Sequence, residues 1–171
     1  VGELYGMTGE EIARGVKNFL PTKMRMNVMR LPGDVVVLND AYNANPQSMR
    51  AAAAVLGDAK DRRKVAIVGD MLELGPSSDL FHRAVGQSFG EMGTDCLIAV
   101  GELARYLAEG AREAGMGQVY RFDTLEQAMP IILEQLRPGT TILVKASRMM
   151  KFERIVEALA AAAKDGAEKS T

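Results

Sequence analysis

The chain of 171 residues has no tryptophan, one cysteine, one histidine and only 5% aromatic residues. A lone Cys96 excludes an internal disulfide and any cysteine-only metal cluster, and with His82 as the sole histidine the usual zinc ligand sets cannot assemble. This cysteine usage fits a reducing, cytoplasmic setting. An excess of one charge is missing too. Lys and Arg number 21 against 22 Asp and Glu, so no global field draws the chain to nucleic acid or to an anionic membrane. Apolar runs such as Ala51 to Leu56 fall far short of the ~18 residues a membrane span needs, and no basic n-region precedes an apolar one at the N-terminus. No Gly-x-Gly-x-x-Gly follows the first strand-like segment, and Gly-x-x-x-x-Gly-Lys-Ser/Thr does not occur. A dinucleotide fold of the usual type is therefore not indicated, and this sequence alone does not cradle a nucleoside triphosphate in a P-loop.

What remains is an ordinary globular composition, 47% hydrophobic and 25% charged, of a length suited to one domain or to one domain carrying a piece of a neighbour. Short β-rich apolar runs at 35–38, 65–68, 96–100, 119–122 and 141–144 are bounded by Gly, Asp or Pro. Four of them are nearly continuous, as expected of strands covered on both faces. Between them lie helical patterns at 46–56, 79–92, 102–114, 125–136 and 149–163. In the last, Phe152, Ile155, Val156, Leu159 and Ala163 recur at helical spacing while Lys151, Glu153, Arg154 and Glu157 face away. Pro130 falls inside the fourth pattern and should kink or delay that helix. The alternation predicts an α/β, Rossmann-like three-layer sandwich, a mostly parallel sheet of about six strands with helices on both faces.

The first residues break this rhythm. Thr8 caps a helix expected from Gly9 to Phe19, with Glu10 and Glu11 in its first turn and Pro21 ending it. Arg25 to Leu31 then reads as a strand turning at Pro32-Gly33. The expected division is a tail of an upstream domain plus an edge hairpin over 1–33, the α/β domain over 34–164 and a frayed end over 165–171.

Ligands in open α/β sheets occupy the crevice beyond the carboxyl ends of the strands. Three segments there exceed generic strand-end chemistry. Asn39 to Pro46 gathers amides and a carboxylate suited to sugar hydroxyls, with Asn45 and Pro46 forming a helix start. Gly69 to Gly75 carries Asp70 and Glu73 in a loop too long for a minimal turn. A single Asp after a strand is equally a routine cap, which applies to Asp70 and more strongly to Asp123. Lys145 to Arg148 joins a strand to a helix, where two cations and backbone donors suit an anion, unless Ser147 only caps and Lys145 only snorkels.

In order and spacing these segments resemble motifs of the Mur ligases, most closely the MurF type, whose pattern resembles Asp-Asp-Ala-Tyr-Asn-Ala-Asn-Pro, then Gly-Asp-Met-Leu-Glu-Leu-Gly with a downstream His and Val-Gly, then Val-Lys-Gly-Ser-Arg. Here Asn39 stands for the first Asp and Ala146 for the Gly, whereas 69–75, His82 and Val85-Gly86 are kept. The resemblance implies the C-terminal part of a ligase that uses ATP and Mg2+ to join D-alanyl-D-alanine to UDP-N-acetylmuramoyl-tripeptide in peptidoglycan precursor synthesis. The implied reaction passes through an acyl phosphate. On this reading residues 1–33 include the tail of the central ATPase domain, the P-loop and the magnesium-supporting lysine lie upstream of Val1, and no catalytic residue lies within the fragment, which is inactive alone and expected to be a monomer. The resemblance assigns ATP contacts to Arg25, where Met24 replaces the family's Gly, and to Asp40, Asn43 and Asn45. Tyr42, Lys145, Ser147 and Arg148 are assigned to substrate, the last three to the dipeptide carboxylate; His82 is expected to be structural.

Two other readings compete. A receiver-like signalling module also has acidic strand ends and a Lys after its fifth strand, as Asp40, Asp70 and Lys145 supply, but its phosphoacceptor ends the third strand, where this chain has Val100-Gly101. A non-catalytic nucleotide-binding module is favoured only if no upstream domains exist.

Overall fold

The computed structural model describes residues 2–17 and 23–168. A short 3₁₀ turn, Gly2–Tyr5, precedes α1, Gly9–Lys17; Phe19 and Pro21, at the expected end of that helix, lie outside the described residues. Thr8 starts α1 reciprocally, its backbone N donating to Glu11 Oε2 at 2.8 Å while Glu11 N donates to Thr8 Oγ1 at 3.3 Å.

The rest is one sheet with helices on both faces. The strands are β1, Asn27–Leu31; β2, Val35–Asn39; β3, Arg63–Gly69; β4, Cys96–Val100; β5, Gln118–Phe122; and β6, Thr140–Lys145. Their spatial order is β1-β2-β6-β3-β4-β5, all parallel except β1, which runs antiparallel to β2. The α/β expectation holds. Strand β6 is inserted between β2 and β3, Ile142 facing both Val37 and Val65 in register. The four apolar runs are the interior strands, while of the edges β1 alternates in exposure and β5 has no buried residue. Since β1 pairs with β2 along its whole length, a boundary at residue 33 passes through the turn of a continuous ladder.

Alternate side chains divide the core. Val37, Val65, Ile67, Ile98, Ile142 and Val144 face α5, Leu125–Leu133, and α6, Glu153–Glu168. On the other face Ala66, Val68, Leu97, Ala99 and Leu143 pack against α2, Pro46–Gly57, α3, Ser78–Glu91, and α4, Ala104–Glu113. Helices α3 and α4 touch through glycine: a Cβ on Gly86 would stand 2.0 Å from Leu107 O, and one on Gly110 1.9 Å from Arg83 O.

Two helix expectations are corrected. The last helix begins at Glu153 rather than Met149, because Lys151 takes a left-handed φ of 53° that ends a three-residue 3₁₀ turn, Arg148–Met150. The first-turn amides of α6 are thus displaced from Ser147, and the helix-terminus argument for an anion there is lost. At the other end α6 runs to Glu168. Pro130 is accommodated inside α5, which stops at Leu133 instead of Leu136.

Candidate functional site

The loops after β2, β3 and β6 meet at the carboxyl edge of the sheet because those strands are neighbours. The centre of the meeting is an ion pair. Lys145 Nζ, on a side chain 2% exposed, donates to Asp40 Oδ2 at 2.6 Å and to Asn43 O at 2.8 Å. Asp40 Oδ1 accepts from Met26 N at 2.9 Å, and Tyr42 N donates to Met24 O at 3.1 Å. The segment before β1 is thereby stitched to the 40–45 loop. Met24 and Met26 have φ of 60° and 48°, in the left-handed region that glycine enters freely. The bend they make presents Arg25, whose guanidinium lies 4.4 Å from the centre of the Tyr42 ring and has no hydrogen-bond partner among the described residues. Asn45 caps α2, its Oδ1 accepting from Ser48 N at 2.8 Å while Asn45 N donates to Ser48 Oγ at 3.1 Å, and Pro46 takes the first helical position. These groups line a cavity of about 270 Å3 that includes Arg25, Asp40, Asn43, Asn45, Ser48 and Lys145.

A second cavity of about 280 Å3 shares the Tyr42-Asn43 wall and is closed by Leu72, Glu73, Ser147, Arg148 and Met149. Its floor is rigid. Ser147 N donates to Asp70 O at 3.1 Å, and Leu72 N donates to Ser147 Oγ at 2.9 Å, leaving the serine proton to donate elsewhere. Arg148 pairs with Glu153 at 3.1 Å and its Nη1 lies 3.3 Å from Met24 Sδ, yet half of its side chain is exposed.

His82 and Asp70 hold this floor from behind. The fully buried His82 accepts from Met71 N at Nε2, 2.9 Å, and its Nδ1 lies 2.6 Å from Ser78 O, so the neutral ring carries its proton on Nδ1. Burial pushes its pKa below the ordinary histidine range. Asp70 caps α4 across the sheet edge, its Oδ1 accepting from Ala104 N at 2.7 Å and its Oδ2 from Glu102 N at 3.1 Å; burial raises its pKa against these bonds. A histidine depressed in the fold contributes stability that is complete above the unfolded value of about 6.5 and is lost as pH falls toward the folded one. Acidification from pH 7.5 to 5.5 is therefore expected to lower the melting temperature, with a slope of up to about 1.4 kcal/mol per pH unit where one proton is taken up. Asp70, raised in the fold, acts in the opposite sense. The decline should disappear or reverse in His82→Gln, which lacks the chain's one histidine; thermal melts showing the same decline in that variant would remove His82 as its source.

The structure brings together the eight residues assigned to ATP or substrate from the sequence, but divides them differently; Asp123, after the edge strand β5, lies in neither cavity. Arg25, Asp40, Asn43 and Asn45 share one cavity, and Tyr42, Ser147 and Arg148 line the other. Lys145 joins the first set: its ammonium is committed to Asp40 and Asn43 and is not free for a dipeptide carboxylate. Asn45 and Asp70 serve as helix caps, and His82 is structural as expected. Glu73, passed over in the sequence as one of two loop carboxylates, faces the second cavity; only tertiary contact reveals it. Among the described residues no group of three or more His, Cys, Asp and Glu could hold a metal ion. No described helix is long and apolar enough to cross a membrane.

Residues 24–148 match the family model described as Mur ligase, glutamate ligase domain. Among curated proteins, the UDP-N-acetylmuramoyl-tripeptide--D-alanyl-D-alanine ligase of Bacillus subtilis is 32% identical over 92% of this chain and 35% of its own length. That of Escherichia coli is 34% identical over 90% of this chain and 33% of its own length. A crystal structure of MurF from Acinetobacter baumannii superposes with a TM-score of 0.80 and 31% identity, covering 94% of this chain and 35% of that one. The chain spans about a third of the length of the curated relatives it matches. Since the matched stretch starts at the bend carrying Arg25, ends at Arg148 and so takes in the first cavity and all of the second but Met149, the likeness covers the site as well as the sheet, and the chain belongs to the Mur ligase family.

Proposed function

We propose that this chain is the C-terminal domain of an ATP-dependent ligase that joins D-alanyl-D-alanine to UDP-N-acetylmuramoyl-tripeptide in peptidoglycan precursor synthesis, with residues 1–33 comprising the tail of a preceding ATPase domain and the edge hairpin. The observation that carries the reading is the pair of adjoining cavities at the sheet edge, one presenting a guanidinium without a hydrogen-bond partner and the other a serine hydroxyl beside a second guanidinium. The names of the curated relatives support it.

In the first cavity Arg25 binds phosphate oxygens of the nucleotide, a task suited to a planar fork of donors. Asp40 spends one lone pair of each oxygen on Met26 and Lys145, so a ribose hydroxyl can still donate to it. The amides of Asn43 and Asn45 complete that wall. In the second, Ser147 and Arg148 hold the carboxylate of the incoming dipeptide and Tyr42 packs beside it, while its nitrogen, once deprotonated, attacks an acyl phosphate formed elsewhere in the enzyme. In full-length enzyme Arg25→Ala should raise KM for ATP and Arg148→Ala should raise KM for D-alanyl-D-alanine, each roughly tenfold or more, because charge-assisted hydrogen bonds of this kind are worth about 1.5–3 kcal/mol. Steady-state kinetics with each substrate varied in turn tests this. Equal effects of both changes on both substrates, or the reverse assignment, overturns it.

A further inference from the structure

The second cavity also carries a carboxylate that neither the fold nor the site described so far uses. Glu73 is exposed at the rim of the second cavity and makes no hydrogen bond or ion pair among the described residues. Its backbone stands at φ 64°, a conformation that disfavours every residue with a side chain except the short Asn and Asp. A glycine two residues later, Gly75 at φ 70°, shows that the same loop takes glycine where the turn asks for one. Packing does not explain a glutamate here. The backbone just before it is tied down by hydrogen bonds, Met71 N to His82 and Leu72 N to Ser147, so Glu73 leaves the loop from an anchored segment.

Ser147 and Arg148 line the same cavity. A cavity lined by a cation, a hydroxyl donor and a carboxylate with no partner among the described residues is complementary to a small zwitterion, and about 280 Å3 is below the ~300–1,000 Å3 usual for drug-sized ligands. We propose that Glu73 recognises the ammonium of the incoming zwitterionic dipeptide, which makes it a specificity-determining residue for a free amine at a fixed distance from a carboxylate. The inference rests on the assignment of the second cavity to the dipeptide. Uncharged and amine-blocked analogues bind less well because the carboxylate is left desolvated without its partner.

The test uses full-length enzyme with Glu73→Gln and Glu73→Gly; the second also relieves the left-handed backbone, so that it folds at least as well as the parent. Both should raise KM for D-alanyl-D-alanine roughly tenfold while KM for ATP stays within twofold. A competitive inhibitor whose amine is replaced by hydroxyl, D-lactyl-D-alanine, should bind parent and variants equally. In the parent the dipeptide KM should rise at pH above the amine's own pKa, and in Glu73→Gln this rise should flatten; a merely structural role would move neither the pH profile nor the analogue ratio. Unchanged dipeptide KM in both variants, with Arg148→Ala still selective for the dipeptide, overturns the role of Glu73 and leaves the acceptor site standing. Unchanged dipeptide KM in all three overturns the acceptor site itself.

Discussion

Gly86→Ala is expected to destabilise this domain by about 3 kcal/mol or more, at or beyond the upper end of ordinary overpacking. In an exposed helix the same change would stabilise by up to about 1 kcal/mol, since alanine loses less backbone entropy. Here the sign inverts. The added methyl would lie 2.0 Å from Leu107 O and 2.9 Å from the Leu107 carbonyl carbon, and both are backbone atoms that no rotamer change can move aside. The contact is reciprocal, Gly110 standing equally close to Arg83 O, so relief on one side requires α3 and α4 to separate along their length. Separation would loosen Val85 and Phe89 from Leu107 and weaken the Arg83 pairs with Glu109 and Glu113. Gly15→Ala, at a helical glycine with nothing within 4 Å, serves as the control and should be neutral or stabilising. Urea denaturation reads both. A Gly86→Ala midpoint equal to or above the parent's, with unchanged slope, would contradict the close helix packing.

The second large effect is expected at Lys145. Replacing it with methionine keeps much of the apolar stem but leaves the Asp40 carboxylate, 17% exposed, without its cation and Asn43 O without its donor. Breaking a buried pair by removing one partner costs about 3–5 kcal/mol, and the residual hydration of Asp40 argues for the lower figure. At roughly 2–4 °C per kcal/mol for a chain of this size, the melting temperature should fall by about 6–12 °C. Adding Asp40→Asn should recover part of the loss, because the uncompensated charge is gone while an oxygen remains for Met26 N. In full-length enzyme the kinetic damage should fall on ATP, since the loosened 40–45 loop lines the cavity with Arg25. A Lys145→Met variant as stable as the parent and impaired only toward the dipeptide would restore the lysine to the acceptor carboxylate.

Much of this fold was legible in the sequence because its signals are local. Continuous apolar runs at 65–68, 96–100 and 141–144 mark strands buried on both faces, and all three lie inside the sheet. Asn45-Pro46 announces the start of α2, and the cap forms as written. The boundary errors have local causes too. Nothing in the apolar spacing of 149–163 reveals that Lys151 turns left-handed and delays α6 to Glu153.

The sequence by itself determined the strand–helix alternation, the capped loop after β2, the presence of three polar strand-end segments and the family they resemble, each from residues within a few positions of one another. The tertiary structure alone decided which of those residues meet. Lys145 and Asp40 are 105 positions apart, and Asp70 caps a helix whose Ala104 lies 34 positions further on. The physical reason is strand order: crossover connections carry the chain away after every parallel strand, and β6 returns last to the gap between β2 and β3. That placement puts the residues after β6 between the loops of two much earlier strands, so Lys145 turns to Asp40 on one side while Ser147 turns to Leu72 on the other.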